Sequence, residues 1–142
     1  MSGLAGLLAG RHAAGVYRWH AGFDVADVRH TVEHAGWGFA CVDGWTHQDK
    51  AGFLTEVGKA LAFPEWYGEN FDALVDCLRD VSGPEGAGTV LLWDGWGPFA
   101  REDRHAFDVA VDVLAGRAVE QPAFVTLLRG DGPELDVASL DG

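Results

Sequence analysis

The sequence predicts a single α/β domain with a small parallel sheet of three to four strands and helices packed on it, in two or three layers. Strand-like apolar runs alternate along the chain with segments of helical periodicity. Residues 89–93 form a continuous apolar run, typical of a parallel strand that is buried on both faces. Strands that are separated by helices pair in parallel through right-handed crossovers. A chain of 142 residues fits one domain and can bury about two-thirds of the surface that it exposes when unfolded.

The first elements are a strand, a helix and a second strand. Residues 15–20 alternate in polarity and predict the first strand. Asp24 is the predicted N-cap of a helix that ends at Gly36. The apolar positions of this helix are Val25, Val28, Val32 and Ala35. Residues 37–42 predict the second strand.

Two further helices follow. Thr46, with Asp49 three residues on, resembles a capping box that opens the first of them, and Pro64 ends it. Asn70 is the predicted N-cap of the second helix. The apolar positions of the two helices are spaced by three or four residues: Phe53, Val57 and Leu61 in the first, and Phe71, Leu74, Leu78 and Val81 in the second.

The remaining elements continue the alternation. Residues 82–88 have the composition of a loop, and the strand at 89–93 follows. The next helix ends at Gly116, although residues 109–113 also fit the alternation of a strand. The apolar positions of this helix are Phe107, Ala110, Val111 and Leu114. Residues 123–128 are the last predicted strand, and we expect the acidic, glycine-rich end of the chain to fray.

These elements divide the single domain, residues 1–142, into three parts. Residues 1–36 are an N-terminal β-α extension, residues 37–130 form the core, and residues 131–142 are an acidic tail. By the crossover rule, the extension would most simply lengthen the sheet at an edge. It could equally cover a helix face or mediate self-association.

The charge balance narrows the class of partner. Ten basic residues against 22 acidic residues give a net charge of −12. This balance argues against nucleic acid as the direct ligand and favours a basic partner. Cys41 and Cys77 are too few for a disulfide scaffold, and we expect them to be reduced, inert core thiols. The apolar start of the chain is too short to span a membrane. We expect a cytoplasmic protein that is a monomer and has no cofactor.

The most informative segment is residues 64–81. Its one base is Arg79, and its five acids are Glu65, Glu69, Asp72, Asp76 and Asp80. At about 100° per residue, the three aspartates lie on the side of the helix opposite Phe71 and Leu78. Like charges at this spacing cost about a few tenths of a kcal/mol per pair. The pattern fits either a solvated face of an acidic protein or a surface for a basic partner.

Residues 64–78 resemble the signature segment of the barstar family, whose members are intracellular inhibitors of secreted, guanyl-preferring ribonucleases. The segment reads Pro-Glu-Trp-Tyr-Gly-Glu-Asn-Phe-Asp-Ala-Leu-Val-Asp-Cys-Leu. The Tyr-Gly-Glu-Asn run, the acids Asp72 and Asp76 and the cysteine Cys77 all match. The order of the surrounding elements matches too, and the resemblance covers roughly residues 37–130.

The resemblance implies a non-enzymatic inhibitor whose acidic helix and preceding loop block the active site of a basic ribonuclease. The carboxylates would take the place of substrate phosphates, with Asp76 as the central anchor and Asp72 as a second ion-pair partner. Trp66 would pack on the catalytic edge of the enzyme, and Gly68 and Asn70 would make backbone-level contacts. The full predicted set is Trp66, Tyr67, Gly68, Asn70, Asp72, Val75, Asp76, Arg79 and Asp80.

The sequence departs from the family pattern on the binding helix and on the last helix. Val75 stands where the family commonly has tryptophan, Arg79 replaces a small polar residue, and Val81 replaces another aromatic residue. The family also uses an acid from its last helix, but residues 113–116 contain none. Glu120 could substitute only if the helix or loop ends differently. These departures bear on which ribonuclease is inhibited and how tightly.

Two other interpretations stay open. His30, Glu33 and His34 fit an H-x-x-E-H pattern, in which two histidines bind zinc and the glutamate is the base of a hydrolase. The buried side predicted for this helix directs both histidines into solvent, however. The other interpretation keeps the fold but makes it an interaction module for a partner other than a ribonuclease. A nucleotide site is not indicated, since no glycine-rich phosphate loop follows a strand.

Overall fold

The computed structural model describes residues 2–141 as three layers, with helices on both faces of one parallel sheet. In chain order the elements are α1 (Ser2–Leu8), β1 (Val16–Trp19), α2 (Val25–His34), β2 (Gly38–Asp43), α3 (Lys50–Ala60), α4 (Phe71–Leu78), β3 (Thr89–Asp94), α5 (Gly97–Glu102), α6 (Arg104–Ala118), β4 (Phe124–Arg129) and β5 (Ala138–Leu140). A short 3₁₀ turn, Pro84–Gly86, precedes β3. The predicted α/β class is confirmed.

The sheet has five strands in the order β2-β3-β4-β1-β5, one more than the highest number predicted, and all of its pairings are parallel. The additional strand is β5, which pairs with β1 and buries Leu140. The expected fraying of the acidic end is therefore wrong at these residues. Because β5 pairs with its outer side, β1 is an interior strand and not the edge strand that the simplest topology predicted. The N-terminal unit nevertheless lies at the end of the sheet that is far from β2.

The alternation of side chains along β3 explains the three layers. Val90 and Leu92 contact the cluster that contains α1 and α2, whereas Leu91 and Trp93 contact the cluster built from α3, α4, α5 and α6. All four side chains are buried, as the continuous apolar run predicted. Helix α4 thus belongs to the thicker helical layer, and the helices of the N-terminal extension cover the opposite face.

Several predicted boundaries are corrected by polar contacts. Helix α3 begins at Lys50 because the Asp49 side chain accepts a hydrogen bond from the Gly52 amide at 2.7 Å. Thr46 lies in the preceding turn, where its hydroxyl donates to Asp43 at 2.7 Å. This hydrogen bond is the main reason that the pKa of Asp43 is lowered.

Other corrections concern helix lengths. Helix α4 ends at Leu78, so Asp80 and Val81 lie beyond it. Helix α6 runs past Gly116 to Ala118, and the strand alternative for residues 109–113 is wrong. Helices α1 and α5 were not predicted at all.

One arginine joins the N-terminal unit to the rest of the domain. The Arg129 guanidinium forms a two-pronged ion pair with Asp94, at 3.1 and 3.2 Å. It also donates to the carbonyl oxygens of Phe23 at 2.6 Å and Ala21 at 3.3 Å, in the loop between β1 and α2. The end of β4 is thereby tied to the N-terminal unit. Within residues 2–141, no helix is long and apolar enough to cross a lipid bilayer.

Candidate binding surface

Helix α4 separates an apolar side from an acidic side. Leu74, Cys77 and Leu78 are buried, whereas Asp72 and Asp76 are exposed. The Asn70 side chain caps the helix by accepting a hydrogen bond from the Ala73 amide at 2.8 Å, as predicted. We call the exposed side that carries Asp72 and Asp76 the acidic face. Asp80 is exposed as well but lies past the end of the helix.

The C-terminal end of α4 is held by a buried arginine from α6. Arg117 is 4% exposed and donates from Nε to the Leu78 carbonyl at 2.8 Å and from Nη2 to the Val81 carbonyl at 2.9 Å. Its third contact is the Glu120 carbonyl at 3.3 Å. The bond to Leu78 adds to the one that this carbonyl accepts from the Val81 amide at 3.1 Å, at a helix end whose last carbonyl groups have no partner within the helix. Burial lowers the pKa of Arg117.

Arg117 was not among the predicted site residues, although the sequence contains a signal for it. It lies three residues after Leu114, which is buried, and therefore continues the buried stripe of α6. Helical spacing alone could have placed it on the buried side of α6. A charged residue at such a position usually indicates a polar target inside the fold.

The loop before α4 is supported from within. The Tyr67 hydroxyl donates to the Leu54 carbonyl at 2.8 Å, and the Tyr67 ring meets Phe63 edge-on at 4.9 Å. A Cβ atom on Gly58 would lie 2.6 Å from the Tyr67 ring, so this close packing requires glycine. Burial, aided by the Glu69 charge, raises the pKa of Tyr67. Tyr67 therefore holds the loop from below, and only its exposed edge is open to a partner.

The same loop displays Trp66 and fixes the start of α4. Trp66 is 67% exposed, the highest value among the large aromatic side chains that lie at the surface of residues 2–141. Glu69 adopts a left-handed conformation, with φ of 53°, and its carboxylate accepts a hydrogen bond from the Thr55 hydroxyl. Trp66 thus projects from a loop that two side-chain hydrogen bonds fasten to α3.

Asp76, the predicted anchor, has a partner within the chain. Its carboxylate lies 3.1 Å from the Arg79 guanidinium, and the two side chains are 59% and 62% exposed. An ion pair with this exposure contributes about 0–1 kcal/mol, so a better-placed cation of a partner can replace it. The structure thus brings the predicted Arg79 onto the acidic face, where it offsets one of the acids.

A groove of about 430 Å³ separates α4 from α6 beside the acidic face. Its apolar lining is formed by Val75, Leu78, Val109 and Val113. Glu120 lies just past the end of α6 and lines this groove, together with Asp112, which the sequence analysis missed. One carboxylate of α6 and one of the turn after it therefore border α4.

The cysteines lie away from the exposed part of this surface. Both are free, and burial raises the pKa of Cys41 to about 11 and also raises that of Cys77. Cys77 lines a second cleft, on the other side of α4, that Trp66 and Asp80 also border. Cys77 is buried and Cys41 is partly buried, and a raised pKa disfavours the thiolate, which is the nucleophilic form.

An aromatic side chain occupies part of the usual ligand site of a parallel sheet. Ligands of open α/β sheets bind in the crevice beyond the carboxyl ends of the strands. Here the Trp45 ring covers the ends of β3 and β4, since a Cβ atom on Gly95 or Gly130 would lie 2.7 Å from it. Two glycines with positive φ, 92° and 105°, make this close approach possible. Beside this ring, a cavity of about 460 Å³ stays open at the ends of β1, β3 and β4 and is lined by His20, Asp94, Arg129 and Asp131.

The residues of the zinc hypothesis lie on the opposite helical layer. His30 and His34 stack with ring centroids 6.0 Å apart on the exposed side of α2. Glu33 lies 3.8 Å from Arg29, with which it forms an ion pair. Among residues 2–141, no group of three or more histidine, cysteine or acidic side chains is arranged to hold a metal ion. This open helix face does not have the enclosed geometry of a catalytic zinc site.

The chain matches a known protein family over most of its length. Residues 37–129 match the family described as Barstar (barnase inhibitor). The matched region begins just before β2 and ends at the last residue of β4, so it contains α4, α6 and the whole acidic face but leaves the N-terminal unit outside. A search of curated proteins returned no match.

Proposed function

The chain belongs to the barstar family, and from that premise we propose that it inhibits a basic ribonuclease of the barnase type. The acidic face and the loop that displays Trp66 would cover the active site of the enzyme. The exposed pair Asp72 and Asp76, on a helix that is held at both ends, is the observation that carries the proposal.

The chemistry of the target explains why carboxylates suit this role. A ribonuclease must bind a phosphodiester, so its active site presents cationic side chains. Carboxylates accept charge-assisted hydrogen bonds from the same groups, and arginine can bind them with two parallel bonds. Asp76, once released from Arg79, would take the central position, and Asp72 would lie one helical turn away from it.

The fixed loop favours tight binding. Ordering a loop or a side chain on association costs free energy, whereas a surface that is already ordered avoids that cost. Tyr67, Glu69 and Asn70 each hold the segment through hydrogen bonds made in the free protein. Trp66 can then pack on the rim of the active site while Gly68 and Asn70 contact the enzyme at the level of the backbone.

The net charge of −12 supports rapid encounter with a basic enzyme. A guanyl-preferring ribonuclease that is secreted would endanger the RNA of the cell that makes it. An inhibitor that works in the cytoplasm, where free cysteines persist, would neutralise such an enzyme before export. We therefore place the partner among secreted basic ribonucleases and the inhibitor in the cytoplasm.

The test is RNA cleavage by barnase, and by ribonucleases secreted by the source organism, in the presence of an equimolar amount of the full chain. The wild-type chain should abolish cleavage by at least one of these enzymes. The double variant Asp72→Asn/Asp76→Asn should bind at least about 100-fold more weakly.

The matched control is Asp24→Asn/Asp27→Asn, which removes the same charge at the start of α2, on the opposite layer. This control should inhibit as well as the wild type. If both double variants lost the same amount of inhibition, the effect would come from net charge and not from the acidic face. If no ribonuclease is inhibited at any concentration, the fold serves another basic partner.

A further inference from the structure

The groove between α4 and α6 differs in charge from the rest of the molecule. Its charged lining residues are two of each sign, Arg79 and Arg117 against Asp112 and Glu120. The Arg117 guanidinium is moreover directed at three carbonyl oxygens. In a protein with a net charge of −12, this groove is an apolar depression without net charge.

Small side chains keep the groove open. Val75 is 37% exposed on the α4 side, and its short, branched side chain covers little of the neighbouring surface. Gly116 lines the α6 side, and a Cβ atom added there would meet nothing within 4 Å. Apolar surface that stays in contact with water favours an occupant that removes it.

The position of the groove identifies what can reach it. Val75 is adjacent in sequence to Asp76, and Arg79 both lines the groove and pairs with Asp76. A partner that engages the acidic face therefore also lies over the groove. A second copy of this chain is a poor occupant, because it would bring two acidic surfaces together.

We propose that the groove receives one large, uncharged apolar side chain, preferably aromatic, that the basic partner presents beside its cationic groups. The acidic face supplies the ionic attraction, and the groove selects among partners by the shape of this side chain. The identity of that partner as a ribonuclease rests on the proposed function, whereas the preference for an apolar side chain rests on the lining of the groove.

The first experiment uses indole as the probe and follows the valine methyl resonances of the full chain by NMR. Saturable shifts should appear at Val75, Val109 and Val113, in about the millimolar range expected for a ligand of this size. Val119 is 84% exposed and does not line the groove, so its methyl groups should not shift. Val75→Trp should abolish the response, and Val119→Trp should preserve it. Shifts that do not saturate, or that persist in Val75→Trp, would overturn the proposal.

The second experiment uses two short peptides, Lys-Arg-Trp-Gly-Lys and Lys-Arg-Ala-Gly-Lys, as stand-ins for the partner surface. The tryptophan peptide should bind at least about tenfold more tightly to the wild type, and this preference should disappear in Val75→Trp but not in Val119→Trp. Asp76→Asn should weaken both peptides by the same factor. Equal affinity of the two peptides for the wild type would contradict the proposal. Neither experiment uses a ribonuclease, so failure of the ribonuclease assay and failure of the groove are separate results.

Discussion

Helices α2 and α4 both lie on the outside of the same sheet, yet their exposed sides are built differently. On α2, Arg29 pairs with Glu33 and lies 4.9 Å from the Phe39 ring. The other two acids, Asp24 and Asp27, lie at the N-terminal end of the helix, where the helix dipole favours negative charge. On α4, Asp72 and Asp76 share a face with one arginine. The first arrangement is that of a solvated surface. The second leaves negative charge available to a partner.

The two helices also differ in the side-chain hydrogen bonds that hold their ends. The Asp24 side chain, at the N-cap of α2, makes no capping hydrogen bond, whereas the Asn70 side chain at the N-cap of α4 does. Helix α4 is also held at its other end by Arg117. The helix that carries two acids one turn apart on its exposed face is therefore also the one that side-chain hydrogen bonds hold at both ends.

Removal of the Arg117 side chain should have the largest effect on stability among the changes that distinguish α4 from α2. Arg117→Ala removes the side-chain donor of the Leu78 and Val81 carbonyl oxygens, although the Leu78 carbonyl keeps its bond from the Val81 amide. It also removes the buried guanidinium that packs over the Phe124 ring, and a buried group that loses its partner costs about 1–3 kcal/mol. We expect a loss of about 3 kcal/mol in the free energy of unfolding, measured by urea denaturation. Arg29→Ala on α2 should change it by less than about 0.5 kcal/mol, since its ion pair is exposed. Equal effects would remove the distinction between the two helices.

The support of the loop can be tested at Gly58. A methyl group there would lie 2.6 Å from the Tyr67 ring and must displace it, so Gly58→Ala should destabilise the protein by about 1–3 kcal/mol. Gly116→Ala is the matched control, because that position is open and helical, and alanine should stabilise it by about 0.5–1 kcal/mol. Thermal melts of both variants check the pair. A neutral Gly58→Ala would show that the loop does not depend on Tyr67.

The two N-caps provide a smaller contrast. Asn70→Ala removes a hydrogen bond to the Ala73 amide and should cost about 1 kcal/mol in unfolding free energy. Asp24→Ala should cost clearly less, since its side chain makes no such bond, although the favourable interaction of its charge with the helix dipole is lost. Denaturant midpoints at low and high salt separate these two contributions. Equal costs at high salt would contradict the assignment.

The smallest expected effect concerns Arg79. Arg79→Ala frees the Asp76 carboxylate from an exposed ion pair and should tighten binding to a basic partner by about 0.3–1 kcal/mol. The gain should appear mainly in the association rate and should shrink as salt rises, because exposed charges are screened. Stopped-flow association of wild type and variant measures both. Weaker binding by Arg79→Ala would instead make Arg79 a direct contact.

The sequence predicted the α/β class and the exposed acids of α4 because each depends on local periodicity. Leu74 and Leu78 repeat at helical spacing, which places Asp72 and Asp76 on the opposite side. The apolar run at 89–93 likewise marks a strand buried on both faces. In both cases the polarity of neighbouring residues in the sequence is enough to predict which side chains are buried.

The missed features depend on contacts between distant segments. Strand β5 is three residues long and buries one of them, Leu140, so its pairing with β1 leaves almost no local pattern. The bonds of Arg117 reach 39 residues back along the chain, and those of Arg129 reach 106 and 108 residues back. The approach of Asp112 to the binding helix likewise follows from how α6 packs against α4.

The most direct test of the account is a binding titration of Asp76→Ala and Asp80→Ala against a ribonuclease that the wild-type chain inhibits. Asp76→Ala should lose about 2–5 kcal/mol of binding free energy, mostly through faster dissociation, a range for which the barnase–barstar pair is itself a reference case. Asp80→Ala, beyond the end of α4, should lose less than about 1 kcal/mol. Thermal melts should show both variants within about 0.5 kcal/mol of the wild type, since both side chains are exposed. Equal small losses in the two variants would contradict the central role of Asp76 and leave only a diffuse acidic surface.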